Sequence, residues 1–399
     1  MQGGFGELPL SAVLKRVGMS LTMVCSVTVV SLGLALSEPT PAAAQSGSVG
    51  GLGSGVQGND CQPAKQPLVT PDSSLNQVIA GQTGPGWLGG DSTYSTPLPD
   101  GQESFVFSDT LTGTIQRYAS TRFTGIPHNS ELVGDLPNLT ADFGGDYGGR
   151  PQSLIPDQSP GAFWWTGSTY VENGVQLIYV NEYRAVPGNS FGRSTGHSGI
   201  AVMSLSSRGQ PKLRSITALP TDPRTTWGSA VLHSGPFVYV YGLVRDPSSG
   251  TYYGMKVARV RKGLSLTTSA WTYWNGAKWV PGERSATIIN PGTILTGVAP
   301  QAGSSGFVGV SIPGGSHRGA SVALSYACSP TGPWSSLHVI YTIPQIREYQ
   351  GEIAYTPTFH PELSQRGLVV SYNINNPSHP GRVLENVHEY RPQFLLLKN

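Results

Sequence analysis

Charge is scarce in this chain. Asp, Glu, Lys and Arg make up 12% of its 399 residues, about half the usual share, and nearly cancel to a net +2. A balance so close to zero offers no electrostatic case for a nucleic-acid partner. Helical periodicity is missing too. After residue 44 no segment sustains apolar residues at i, i+3, i+4 and i+7 over three turns, which excludes a helical core. There is no paired-histidine helix, EF-hand loop or cysteine-based zinc spacing, so neither metal nor cofactor is expected. Cysteine is limited to Cys25, Cys61 and Cys328.

What is abundant is turn-forming residues, with 52 glycines and 32 prolines. Such a composition suits short strands and turns. At the N-terminus Lys15 and Arg16 precede the apolar run Val17 to Leu36, and Ala42-Ala43-Ala44 before Gln45 offers a small-residue cleavage site. Residues 1–44 therefore read as an export signal. The run is long enough to span a membrane, so an uncleaved anchor is the alternative. Cleavage leaves no membrane span and a chain that is secreted or held at the cell envelope. Residues 45–60, rich in Gly, Ser and Val, read as a flexible tether, and residues 61–399 as one monomeric domain. Cys61 and Cys328 then remain as an even pair in an oxidising compartment. A disulfide between them is expected, two separate buried thiols being the alternative.

Several hairpins share one form, an aromatic-led strand, a polar turn and a strand rich in Val, Tyr and Phe. Their leading aromatics are Trp87, Phe163, Trp227 and Tyr355, at steps of 76, 64 and 128 residues. The last step is twice 64, and the alternating segment Gly306 to Ser329 fills the gap. "GIAVMSL" and "MKVARVR" supply companion outer strands. Five units with room for four short strands each predict an all-β, five-bladed β-propeller, with ligands at one mouth of a central channel.

The first hairpin, "GWLGGDSTYSTPLPDGQESFVFSDT", carries an acid near each outer end. Its Pro-Asp-Gly turn predicts a three-residue loop that pairs Leu98 with Gln102. Continued without a bulge, that register sets Asp91 opposite Asp109. No Lys or Arg lies between Gly86 and Gln116 to relieve the repulsion. Like charges so placed destabilise a sheet, yet two close carboxylates suit acid/base or nucleophilic work on a glycosidic bond. Solvated strand ends are the competing reading.

Further candidate contacts follow the strands. His128 and Asn129 in "GIPHNS" carry donors and acceptors suited to hydroxyl groups, or else shape a loop. Trp87, Trp164, Trp165 and Trp227 either offer aromatic faces to a ring-shaped ligand or pack between blades. Glu182 stands in its hairpin where Asp109 stands in the first, as a third acid or a solvated strand end. "FHPEL" puts His360 and Glu362 on alternate, same-face positions of the last blade's first strand, within reach of the channel. "GNSFG" matches the serine-hydrolase elbow expression but lacks the helix that must follow. "DFGGDYGG" reads as a glycine loop rather than a calcium site, and "SPTGPW" as a structural turn.

In order, "WLGGDST", "FSDT", "HNS", "TWGSAVLHSGPFVYVYGL", "TGPW" and "HPEL" followed by "VSYN" resemble a family of exported actinobacterial propellers. That family was long described only as a domain of unknown function and includes endo-D-arabinanases. The likeness runs from about Gly86 to Phe394. It implies hydrolysis of D-arabinofuranosidic linkages in cell-wall arabinogalactan and lipoarabinomannan, with Asp91 and Asp109 as the catalytic aspartates. The polar "PHNSEL" and the glycine-rich loop after Asp142 depart from the pattern. Two other readings stand beside it. A non-catalytic propeller binding envelope glycan would use the same aromatics, and a sialidase-like enzyme would need clustered arginines, which here are scattered along the sequence.

Overall fold

The alternating segments form five antiparallel sheets of four or five strands, beside two smaller ones, in a computed structural model that describes residues 61–398, apart from 116–120, 188, 247–249, 315–318, 349–350, 364–366, 378 and 380. The expected export signal, residues 1–44, and the expected tether, residues 45–60, lie outside the described residues. The first sheet joins Tyr94–Pro97, Glu103–Phe107, Ser130–Asp135 and Asn138–Asp142. The second runs from Ala162–Glu172 through Val175–Val186 and Asn189–Ser204 to Lys212–Ala218. The third opens with Thr225–Ser234, Phe237–Arg245 and Tyr252–Arg261 and adds the short strands Thr272–Trp274 and Trp279–Val280. The fourth holds Gly297–Pro300, Phe307–Ser311, Ser321–Ala327 and His338–Thr342. In the fifth, Ile353–His360, Leu368–Asn375 and Gln393–Lys398 are joined at the outer edge by Leu68–Pro71, from the opposite end of the chain.

No sheet closes on itself, but the opening strands of the five sheets touch one another in cyclic order. Their approach depends on small residues. A Cβ at Gly228 (φ 87°) would lie 2.3 Å from the Tyr179 side chain, and one at Gly167 would lie 2.5 Å from the Gly228 carbonyl. Only glycine lets the second and third opening strands come this close. The faces between successive sheets are filled with apolar side chains, such as Leu177, Tyr179, Trp227, Val240 and Tyr273 between the second and third. Burial of such side chains contributes about 1.5–3 kcal/mol each.

Two expectations are corrected by the strand order. The fourth sheet opens at Gly297–Pro300, and the Gly306–Ser329 segment supplies its second and third strands. The opening strand escaped notice because it is four residues long and lacks an aromatic lead. Trp87 does not lead an inner strand either. It lies on Gly86–Gly90, which pairs with Thr110–Ile115 in a separate three-stranded sheet completed by Thr121–Gly125.

An eight-residue helix, Ser73–Ala80, is capped by Asp72, whose carboxylate accepts from the backbone N–H groups of Ser74 and Leu75. The fully enclosed Arg391 donates to the carbonyls of Ala80, Gln82 and Leu88. A buried cation is tolerable only with such partners, and these tie the helix and the strand before Asp91 to the segment that carries Tyr390. Cys61 and Cys328 form a disulfide with Cα atoms 5.3 Å apart.

Candidate active site

The Pro99-Asp100-Gly101 turn sets the register at the site. Leu98 N–H donates to the Gln102 carbonyl at 2.7 Å, and Gly101 takes φ 90°. Tyr94 then faces Val106, and beyond the acids Gly90 faces Thr110 in the same register. A register shift lies between Trp87 and Gly89, on the far side of the acids. Asp91 N–H donates to the Asp109 carbonyl at 3.3 Å, and Ser108 N–H to the Asp91 carbonyl at 2.8 Å. The two acids thus face each other where the hairpin passes from one sheet to another. Ser92, with φ 53°, turns the chain between them.

Their surroundings differ. Asp91 Oδ2 accepts the hydroxyls of Tyr355 at 2.8 Å and Tyr390 at 3.0 Å, whereas Oδ1 is enclosed with no partner among the described residues. Burial, and after it the charge of Asp109, raises the Asp91 carboxyl to about 7 against the opposing pull of the two tyrosines. Asp109 Oδ1 accepts from Trp165 Nε1 and His128 Nδ1, both at 2.9 Å. Burial opposes a charge on His128, but the hydrogen bond to Asp109 and the charges of Asp109 and Asp157 outweigh it and raise its pKa. The His128 ring stacks on Phe163 at 4.0 Å, and Trp165 lies 4.3 Å from Tyr183. Register places Phe163, Trp165 and Tyr183 on one face, so the second acid has an aromatic wall beside it.

The structure therefore brings Asp91, Asp109, His128 and Trp165 together, and leaves the other sequence candidates elsewhere. Trp87 is 2% exposed in the core around Phe105 and Phe107, and Trp227 is fully enclosed beside Tyr273. Neither offers a face to a ligand. Asn129 is spent on the backbone of Ile155 and Trp164. Glu182 points away from the Trp165 face and binds Thr195 and His197. His360 is fully enclosed between Ser95 and Ser371, and burial lowers its pKa to about 3, which keeps it neutral. Glu362 accepts from the same Ser95 hydroxyl, and both lie at the opposite end of their strand from Tyr355. A groove of about 680 Å³ between Ser74–Gln82 and Pro137–Thr140 contains neither catalytic candidate.

Residue patterning missed Tyr355 and Tyr390 as partners of Asp91. Tyr355 had a signal, since it leads the last hairpin. It is aimed by a register shift between Tyr355 and Thr358 and by Thr356 at φ 45°. Tyr390 is 299 residues from Asp91 in a four-residue 3₁₀ turn, and no local pattern points to it.

One prediction follows from the tyrosines. A proton held by Asp91 for catalysis is lost as pH rises through about 7, so kcat/KM should fall above that pH. Both tyrosine bonds favour the charged form. Tyr355→Phe and Tyr390→Phe should therefore move the alkaline limb upward, and a pH–rate profile that moves downward would contradict the arrangement.

A family model described as "Domain of unknown function (DUF5005)" matches residues 72–399. No curated protein matches the chain. Among solved structures, a Bacteroides ovatus protein described as a "putative hydrolase" is similar at 19% identity and a TM-score of 0.65, over 85% of this chain and 93% of that one. An alignment that extensive shows a shared fold. An exo-β-1,3-galactanase from Phanerochaete chrysosporium matches at 11% identity and a TM-score of 0.44, over 79% of this chain and 63% of that one. A GH43_1 enzyme from Xanthomonas citri, complexed with xylotriose, matches at 11% identity and a TM-score of 0.40, over 82% and 93%.

Proposed function

The chain belongs to the DUF5005 family, and we propose that it is an exported glycoside hydrolase that cleaves D-arabinofuranosidic linkages within cell-wall arabinan. The observation that carries the reaction type is the unequal acid pair, one carboxyl holding its proton to about pH 7 beside another that accepts two hydrogen bonds on one oxygen. Glycosidases divide their labour in this way. The cyclic succession of five sheets supports a five-bladed propeller with the pair near one mouth of its channel. The substrate rests on the resemblance of the hairpin motifs to endo-D-arabinanases.

In this reading Asp91 protonates the glycosidic oxygen as the bond to the anomeric carbon breaks. Asp109, oriented by His128 and Trp165, attacks that carbon and forms a glycosyl ester. Asp91, now ionised, takes a proton from water, and the resulting hydroxide displaces Asp109 and regenerates both carboxyls. Trp165 and Tyr183 offer aromatic surface to the sugar rings.

The choice of nucleophile over base follows from register. The same register on either side of the acids, Tyr94 facing Val106 and Gly90 facing Thr110, supports a close pair of carboxyls, the arrangement that retains configuration, over a pair spread wide enough to admit a water. Incubation with purified arabinogalactan should release oligosaccharides by chromatography, and proton NMR should show the first-formed anomer retained. Absence of any released sugar would overturn the activity, and an inverted first product would overturn the nucleophile.

A further inference from the structure

The third sheet is extended at its outer edge by the short strands Thr272–Trp274 and Trp279–Val280, and with them it carries an aromatic cluster that the acid pair does not use. Strand alternation and register put Phe237, Tyr239, Arg259, Arg261, Trp274 and Trp279 on one face. Further along the strands that face is covered, where Tyr241, Leu243, Met255 and Val257 pack against Val298 and Phe307 of the fourth sheet. At the cluster it opens, since Arg261 is exposed and the other five residues are half-buried. Arg259 Cζ lies 4.2 Å from the Phe237 ring and 4.4 Å from the Trp279 ring, one ring coming from a strand on each side of its own. Arg261 Cζ lies 5.6 Å from Phe237. Trp279 is in turn 5.4 Å from Trp274 and 5.8 Å from Tyr239. All the cation–π contacts among the described residues fall in this cluster.

Two rings hold the Arg259 guanidinium by its faces, which fixes its direction and leaves its in-plane N–H donors over. Its Nε is enclosed without an acceptor, and neither arginine forms an ion pair among the described residues. The fourth sheet cannot neutralise them, because it lies within Ala286–Arg347, a stretch with no Asp or Glu. The five strands of the third sheet contain no acid either. Just beyond them Glu283 pairs with Lys256, and Glu172 of the second sheet accepts from the backbone N–H groups of Gly263 and Ser265. Asp246 follows Arg245 at the opposite end of its strand, about 20 Å or more along from Tyr239. The cluster is therefore an aromatic surface with two uncompensated positive charges. An anion answers the charges, and a ring-shaped ligand answers the indole faces. Half-buried rings lying along a sheet do not reach the roughly 5–10 Å into a bilayer interface that membrane attachment needs.

We propose that this face is a second, non-catalytic glycan-binding site that takes an acidic polysaccharide, its sugar rings against Trp274 and Trp279 and its carboxylate or phosphate groups on Arg259 and Arg261. The binding site does not rest on the hydrolase reading; its use in holding polymer for Asp91 and Asp109 does. Oligogalacturonate, a phosphomannan oligosaccharide and a neutral mannan oligosaccharide of the same length are titrated into the wild-type protein, Arg259→Gln, Arg261→Gln and Asp109→Asn, with binding read by calorimetry and tryptophan fluorescence. The acidic oligomers should bind more tightly than the neutral one, and their affinity should fall with added salt. Binding should weaken about tenfold or more in Arg259→Gln and severalfold in Arg261→Gln, and should be unchanged in Asp109→Asn. Arg261 is exposed, so its variant carries the test if Arg259→Gln fails to fold. No binding by the wild type, or equal binding in the wild type and both arginine variants, would overturn the site. Loss of binding in Asp109→Asn would also overturn it, by placing the ligand at the acids. A single-stranded oligonucleotide or anionic phospholipid vesicles bound more tightly than either acidic oligomer would overturn the glycan as occupant. Arg261→Gln should cleave a short neutral arabinan oligomer at the wild-type rate. If the wild type cleaves none, the hydrolase reading falls and the binding test still decides the site.

Discussion

Asparagine at either Asp91 or Asp109 is expected to cut kcat by roughly a thousandfold or more, because each substitution removes a proton donor or a nucleophile that no neighbour replaces. His128 and Trp165 bind the same Asp109 oxygen, and an asparagine there still accepts from them through its carbonyl. The fold should therefore survive both changes. Asp91→Asn should in fact melt higher than the wild type, and the gap should widen with pH. The folded carboxyl titrates at about 7 against the ordinary 3.8, so its contribution to stability is complete below about pH 4 and is lost as pH rises through 7. Asparagine does not titrate. Melting temperatures at pH 5 and pH 8 should differ between the two proteins by a few degrees more at the higher pH. Full activity in either variant would remove the pair from the mechanism, and a gap that stays the same from pH 5 to pH 8 would mean that Asp91 is ionised throughout that range.

Loss of the Cys61–Cys328 bond should be the largest stability change available to a small substitution. The bond closes a loop spanning 267 positions and anchors the chain just ahead of Leu68–Pro71, the strand that completes the fifth sheet against Gln393–Lys398. Cys61 also packs against Gly306, whose added Cβ would come within 2.8 Å of it. Without the bond the first strand is held by its edge ladder and by contacts such as Gln66 with Tyr326. Chain-entropy reasoning puts the upper bound of the stabilisation at about 5–6 kcal/mol. Reductant, or Cys61→Ser with Cys328→Ser, should lower the melting temperature of the protein by several degrees. Peptide mapping that finds both thiols free, or a melting point indifferent to reductant, would end the argument.

Much of this was legible because it is local. A Pro-Asp-Gly turn determines which residues face each other over the next several positions, so the opposition of Asp91 and Asp109 could be read from the hairpin alone, as could the all-β class from turn-rich alternation without helical stripes. Cyclic contact, by contrast, is decided between sheets. Whether a tryptophan at a strand start faces ligand or core depends on what packs across from it, and that is why Trp165 reaches Asp109 while Trp87 and Trp227 are enclosed. His360 alternates on the same face as Glu362 in the sequence pattern, yet Ser95 and Ser371 from neighbouring strands take up its ring nitrogens. Only the closing of the fifth sheet beside the first brings Tyr355 and Tyr390 to Asp91. Their hydroxyls, the enclosure they create and the charge of Asp109 together set which acid keeps its proton. That division of roles is an electrostatic property of groups nearly three hundred residues apart, and no spacing along the chain encodes it.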